Sequence, residues 1–180
     1  MKGMRVTVDI LADVVRNITN LVKKDVLVGI PSGTSERDQE DEGPMNNATL
    51  GYIHEHGSPA ANIPARPFLA AGIEQNQERI TKRLDKAAKA AIEGKRRQSD
   101  DELEAAGMVA RDGVKAKINS GDFVPLSEAT LRARAAKGRK GAKKELASRA
   151  AGNAPDNSNA RPLIDTGQLR NSINYVIRNK

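Results

Sequence analysis

Only four aromatic residues, two Phe and two Tyr, stand among the 180 residues of this chain, and there is no Trp. Large aromatic side chains usually dominate cores and contact hot spots. Packing here must therefore rest on Leu, Ile, Val and Ala. With 29% charged residues and a mean hydropathy of -0.59, the chain is expected to hold a small core under much exposed surface. Such a subunit draws part of its order from neighbours. Its length suits a single domain, 1–180, with a real core and a substantial insertion.

The absence of cysteine excludes a disulfide framework, a thiolate nucleophile and a Cys-type zinc site. No apolar run approaches the roughly 20 residues that cross a bilayer. Met1-Lys-Gly-Met-Arg5 lacks the apolar stretch of a signal peptide. The expectation is a soluble protein made in the cytoplasm, with no membrane partner.

The net charge of +7 sits in one place. Residues 132–149 hold Arg132, Arg134, Lys137, Arg139, Lys140, Lys143, Lys144 and Arg149 against Glu145 alone, while basic and acidic residues balance elsewhere. A run this dense can neutralise DNA phosphates without reading sequence. It carries no interleaved aromatics, which argues against base-stacking recognition of single strands or RNA. Read blandly, it is a solvated loop. An acidic block, Glu36, Asp38, Glu40, Asp41 and Glu42, falls in a Gly-, Ser- and Pro-rich stretch, 31–46, expected to be an exposed loop.

Periodicity predicts an α+β fold: a small antiparallel sheet against several helices. Leu11, Val14, Val15, Ile18, Leu21 and Val22 make a helical stripe over 9–24, preceded by a brief strand-like alternation at Val6 and Val8. Val26–Ile30 reads as a strand stopped by Pro31, and Tyr175–Arg178 as a closing strand able to pair with it. A helix of about three turns over 47–57 should end at Gly57 as its C-cap. Pro67 should open a long central helix reaching Glu93, with Leu69, Ile73, Ile80, Leu84 and Ala88 on one side. Ser99 and Asp100 should cap another helix through Ile118, with Leu103, Ala106, Ala110 and Val114 inward. Gly138, Gly141, Gly152 and Pro155 argue against a continuous helix beyond Pro125, so 132–160 reads as a basic, flexible insertion. Asp165 with Gln168 has the spacing of a capping box before a short helix.

No catalytic constellation emerges. His54 and His56 lie two apart, so on a helix they point to nearly opposite sides and cannot easily share a metal. One imidazole facing inward, or lying at a subunit contact, is the expected arrangement. Ser58 and Ser172 lack any triad-like context. Gly29-Ile-Pro-Ser-Gly33 lacks the Lys-Ser/Thr of a phosphate loop. The reading is no enzyme, no metal and no cofactor. Arg66, held between Pro64 and Pro67, should brace its loop by bonding carbonyls or a carboxylate, or present its guanidinium at a subunit contact.

Three blocks carry a resemblance: Val26-Leu-Val-Gly-Ile-Pro31, the segment Tyr52 to Leu69 with Arg66-Pro67-Phe68, and Pro162 to Ile173 with Thr166, Gly167, Leu169, Arg170 and Ser172. Their order and spacing resemble a family of small tail-component and tail-completion proteins of long-tailed bacteriophages, of the minor tail protein Z type. The resemblance implies a virion protein, assembled in the host cytoplasm, that forms a homo-oligomeric ring of six or twelve copies at the head-proximal end of the tail. There it would complete the tail and join it to the DNA-filled head. Its partners would be other neck, connector and tail-tube proteins. Tyr52, Arg66, Pro67, Phe68 and Arg170 would serve subunit contacts or brace loops, and the eight basic residues of 132–149 would meet DNA or a partner. The alternative is a free, non-specific DNA-binding protein using that basic segment.

Overall fold

The computed structural model describes residues 4–31, 33, 36 and 45–180, with the side chains of 4–10 left aside. Apart from Glu36, the acidic block lies outside the described residues. Those described form eight α-helices and a two-stranded antiparallel sheet, an α+β fold as expected. No helix among them is long and apolar enough to cross a membrane. The chain groups into two compact units.

Unit 1 comprises Met1–Gly29, Ile73–Gly113 and Asn174–Lys180. It contains α1 (Met4–Val22), β1 (Lys24–Gly29), α4 (Gln77–Ile92), most of α5 (Arg96–Ser120) and β2 (Asn174–Asn179). The strand-like alternation at Val6 and Val8 is overridden, because α1 begins at Met4 and runs through it. The two strands pair antiparallel, with Val26 opposite Ile177 and Val28 opposite Tyr175. Alternate residues Leu27 and Val176 face outward together, 38% and 41% exposed. Lys24 reaches from β1 to Asp100 of α5, and Arg83 of α4 bonds Glu102 of α5 at 3.0 Å.

The expected single helix from Pro67 to Glu93 is broken. α3 (Leu69–Glu74) ends before Asn76, whose non-helical backbone opens α4. The longest helix is α5 instead, and its first residue is Arg96 rather than a capped start at Ser99. Gly94, with φ +75°, makes that early start feasible: Lys95 N–H donates to Ala90 O at 2.8 Å and closes α4 with a left-handed cap. The inward set on α5 falls where periodicity put it, with Leu103, Ala106, Ala110 and Val114 all buried. On α4 the buried face is Ala87, Ala90 and Ala91, and Leu84 stays 41% exposed.

Unit 2 comprises Ile30–Gly72 and Val114–Ile173. It holds α2 (Asn47–His56), the last turns of α5, α6 (Glu128–Ala136), α7 (Lys140–Ala150) and α8 (Gln168–Ser172). Asn46 caps α2 through Thr49 N–H, and Gly57 ends it as expected with φ +78°. The stretch read as a flexible insertion contains most of α6 and all of α7. Gly138 stops α6 without dissolving the helix beyond it: in a left-handed conformation it reverses the chain, and Arg139 N–H closes on Arg134 O at 3.1 Å. Leu126, Leu131, Ala142 and Ala160 then form a buried cluster between α6, α7 and the segment after them. The capping box at Asp165 does not form. Gly167, left-handed, occupies the N-cap of α8 without a side-chain bond, and Asp165 pairs with arginines instead.

Candidate functional site

One residue from each of the three blocks of the resemblance, Ile30, Phe68 and Leu169, meets Gly51 in unit 2. A Cβ placed on Gly51 of α2 would stand 2.8 Å from Ile30 Cδ1 and 3.7 Å from both Phe68 Cζ and Leu169 Cδ1. The missing side chain lets Ile30 close on the helix, with Phe68 and Leu169 in ordinary contact distance beside it. Phe68 is buried and Pro67 exposed. Pro67 lies two residues before α3 rather than in its first turn.

Glu55, the residue between the two histidines, caps α3. Its carboxylate accepts from the backbone N–H groups of Phe68, Leu69 and Ala70 at 2.8, 2.8 and 2.9 Å. A carboxylate on otherwise unpaired amides at a helix start is stabilised by both hydrogen bonds and the helix dipole. The sequence signal was present, an acid ahead of a Pro-bounded helix, but its distance along the chain is not that of a local capping box.

His54 points inward as expected, with a buried Nδ1 that has no partner, while exposed His56 bonds Tyr52 O at 3.0 Å. Burial, aided by the charges of Arg66 and Arg134, lowers the His54 pKa to about 4. It is therefore neutral near pH 7. Among the described residues no group of three His, Cys, Asp or Glu side chains is arranged to hold a metal ion. Arg66 is 6% exposed, and its Nε donates to Val124 O at 3.2 Å while its backbone N–H donates to His54 O. Burial, then the charge of Arg134, lowers its pKa from the usual arginine value. Tyr52 is 68% exposed and its ring lies 4.4 Å from that of His56. Ser58 bridges to Ile63, and Ser172 Oγ donates to Leu169 O; both have structural partners.

The basic run divides sharply. Arg149 is bound inside the unit, with Nε on Glu145 Oε1 at 2.9 Å and Nη1 on Leu126 O at 3.0 Å. Glu145 is itself 1% exposed and also accepts from Asp156 N–H and Asn159 Nδ2. Burial pushes its carboxyl up, but Arg149 and these hydrogen bonds outweigh that and hold it below its usual value. Arg134 donates through Nη1 to Arg161 O and Ile164 O, and Arg139 Nε bonds Asp165 at 2.9 Å. Arg132 pairs with Glu128 one turn earlier. Lys137, Lys140, Lys143 and Lys144 are exposed.

Arg134, Arg139 and Lys140 are brought together with two cations that the charge count could not associate with them, Arg161 and Arg170. The five line a cleft of about 540 Å³ within unit 2, together with Asn119, Ser158, Asn159 and the lone carboxylate of Asp165. The first turn of α7 forms part of the wall. Arg161 and Arg170 are held by Asn119, through its carbonyl at 2.9 Å and its Oδ1 at 3.1 Å.

Comparison with protein-family models, with curated proteins and with solved structures gave no match to this chain.

Proposed function

We propose that this chain is a structural virion protein of the phage neck or tail, completing the tail and joining it to the DNA-filled head as one subunit of a ring. The observation that carries the assembly reading is the outer face of α1. Leu11, Val15, Ile18 and Val22 follow one another at spacings of four, three and four residues and stay 65%, 55%, 39% and 59% exposed. Four large apolar side chains in one helical stripe are a surface that a neighbouring subunit would cover. The resemblance of the three sequence blocks supplies the kind of assembly, and heterologous contacts between identical copies close into rings. The test is the mass of the purified protein by light scattering over a concentration series, followed by electron microscopy. A discrete hexamer or dodecamer with a central channel is expected; a monomer at every concentration would sink the self-assembling ring.

A second reading, non-specific contact with DNA, is favoured by the four exposed lysines of 137–144 and by the cationic cleft beside them. In a ring, such a surface would meet packaged or passing DNA through its phosphates. In a free protein it would be the whole function. Salt-dependent DNA affinity from a monomer or dimer would favour the free protein.

A further inference from the structure

We propose that the cleft of unit 2 is a preorganised site for the phosphate oxyanions of a nucleic-acid backbone. This rests on the DNA-contact reading and replaces its linear basic segment by a defined set of residues; it owes nothing to the ring. Five cations, Arg134, Arg139, Lys140, Arg161 and Arg170, face a space that contains one carboxylate, Asp165. Uncompensated positive charge gathered in a concave site raises the local potential and attracts anions. Four of the five are already tethered by protein acceptors: Arg134 by two carbonyls, Arg139 by Asp165, Arg161 and Arg170 by Asn119. For Arg134, Arg161 and Arg170 the acceptors are neutral carbonyl and amide oxygens, which fix a guanidinium in place without cancelling its charge. A ligand arriving there meets donors whose ordering cost has been met in folding.

The chemistry favours phosphate over other ligand features. A guanidinium can present a fork of N–H donors to two oxygens of one phosphate. No aromatic side chain lines the cleft, so bases have nothing to stack on. Lys140 and Lys144 lie one helical turn apart on α7, which continues the positive surface beyond the cleft, as a polymer of phosphates would need. Two features oppose an anion and set the limits of the site: the Asp165 carboxylate and the Asn159 carbonyl, which crowds Gly141 at the base of α7. The site excludes Arg149 and Arg132, whose charges are taken by Glu145 and Glu128.

The experiment compares the full chain with two doubly substituted forms of equal charge. One, Lys140→Gln with Arg170→Gln, removes two cleft cations. The other, Lys86→Gln with Lys89→Gln, removes two exposed lysines of α4. Each is titrated with a random-sequence DNA duplex across a salt series and, separately, with inorganic phosphate. The cleft form should lose roughly sixtyfold in duplex affinity at about 0.1 M salt, with a salt slope shallower by about two, as expected when two phosphate contacts go. The α4 form should bind like the parent. Equal losses in both forms, or no loss in the cleft form, overturn the site; so does a cleft that takes inorganic phosphate but no duplex, since the source is then a free anion. Light-scattering mass of the same samples reads the ring independently of DNA binding.

Discussion

The two units bury different things. Unit 1 closes over small residues, Ala87, Ala90, Ala91, Ala106 and Ala110 around Leu103, and leaves large apolar side chains outside. Nine of the twelve large hydrophobic residues exposed among the described residues belong to it, and four of those form the α1 stripe. Unit 2 buries its larger side chains, Phe68, Ile118, Leu131 and Ile173, and with them charged or polar groups: Arg66, Glu145 and Asn47. An exposed apolar face gains most by meeting another molecule. A buried charge gains only if its partners are complete. Within the subunit, unit 1 thus leaves an apolar face uncovered, whereas unit 2 completes its buried Glu145 with partners of its own.

The largest effect should come from breaking the self-completion. Glu145→Ala leaves the half-buried Arg149 without its carboxylate and removes the acceptor for Asp156 N–H and Asn159. Loss of one partner of a buried pair costs about 3–5 kcal/mol. Equilibrium urea unfolding should show that loss, and Arg149→Ala in the same chain should recover part of it. A loss below about 1 kcal/mol, the scale of a single ordinary hydrogen bond, would show that this network does not hold unit 2 together.

pH should separate the units from opposite ends. His54 has a folded pKa of about 4 against an ordinary 6.5, so the unfolded chain takes up its proton first as pH falls. Stability then drops between about pH 6.5 and 4, by on the order of 3 kcal/mol in total. Glu145, held low, adds a loss of the same sign when pH falls through its folded value. Both belong to unit 2. In unit 1, Tyr175 donates its hydroxyl to Glu104 at 2.7 Å, and that bond, burial and the Glu104 charge raise its pKa. A raised acid contributes stability that is complete below its ordinary value near 10 and is lost as pH climbs. Hydrogen exchange at about pH 5 should open unit 2 first and at alkaline pH unit 1; His54→Gln should flatten the acid limb alone.

Tyr175 also shows why some of this was legible and some not. The antiparallel pairing of the 25–30 region with 175–178, the inward face of α5 and the stop at Gly57 all follow from local periodicity and turn chemistry, and they stand in the structure, with the first strand shifted to Lys24–Gly29 so that Ile30 falls outside the ladder. The seat of Tyr175 on Gly107 does not. The reason for that glycine is a ring from a distant part of the chain, at no fixed spacing: a Cβ there would run into the Tyr175 ring. Gly107→Ala should cost unit 1 about 1–3 kcal/mol through overpacking, less the roughly 1 kcal/mol that Ala adds to a helix, and urea unfolding reads the difference. For the same reason the sequence alone reads the basic run as one solvated insertion. Charge counting sees eight cations but not that Glu145, Leu126 O and Asp165 engage Arg149 and Arg139, nor that Arg161 and Arg170 join the rest.

The smallest effect on stability should come from the α1 stripe, and it is the sharpest test of the contrast. Val15→Glu with Val22→Glu puts charge on two side chains that are 55% and 59% exposed within the subunit. Substitutions at such positions usually change folding stability by about 0.5 kcal/mol or less. If a neighbouring copy covers the stripe, the same changes bury unpaired carboxylates in an apolar contact and the assembly should fall apart, while thermal unfolding compared at a dilution where the parent is also dissociated stays almost unchanged. The light-scattering mass reads the first and calorimetry the second. An intact oligomer from this variant would remove the stripe as the contact, and unit 1 would then carry an exposed apolar face whose cover lies with some other partner.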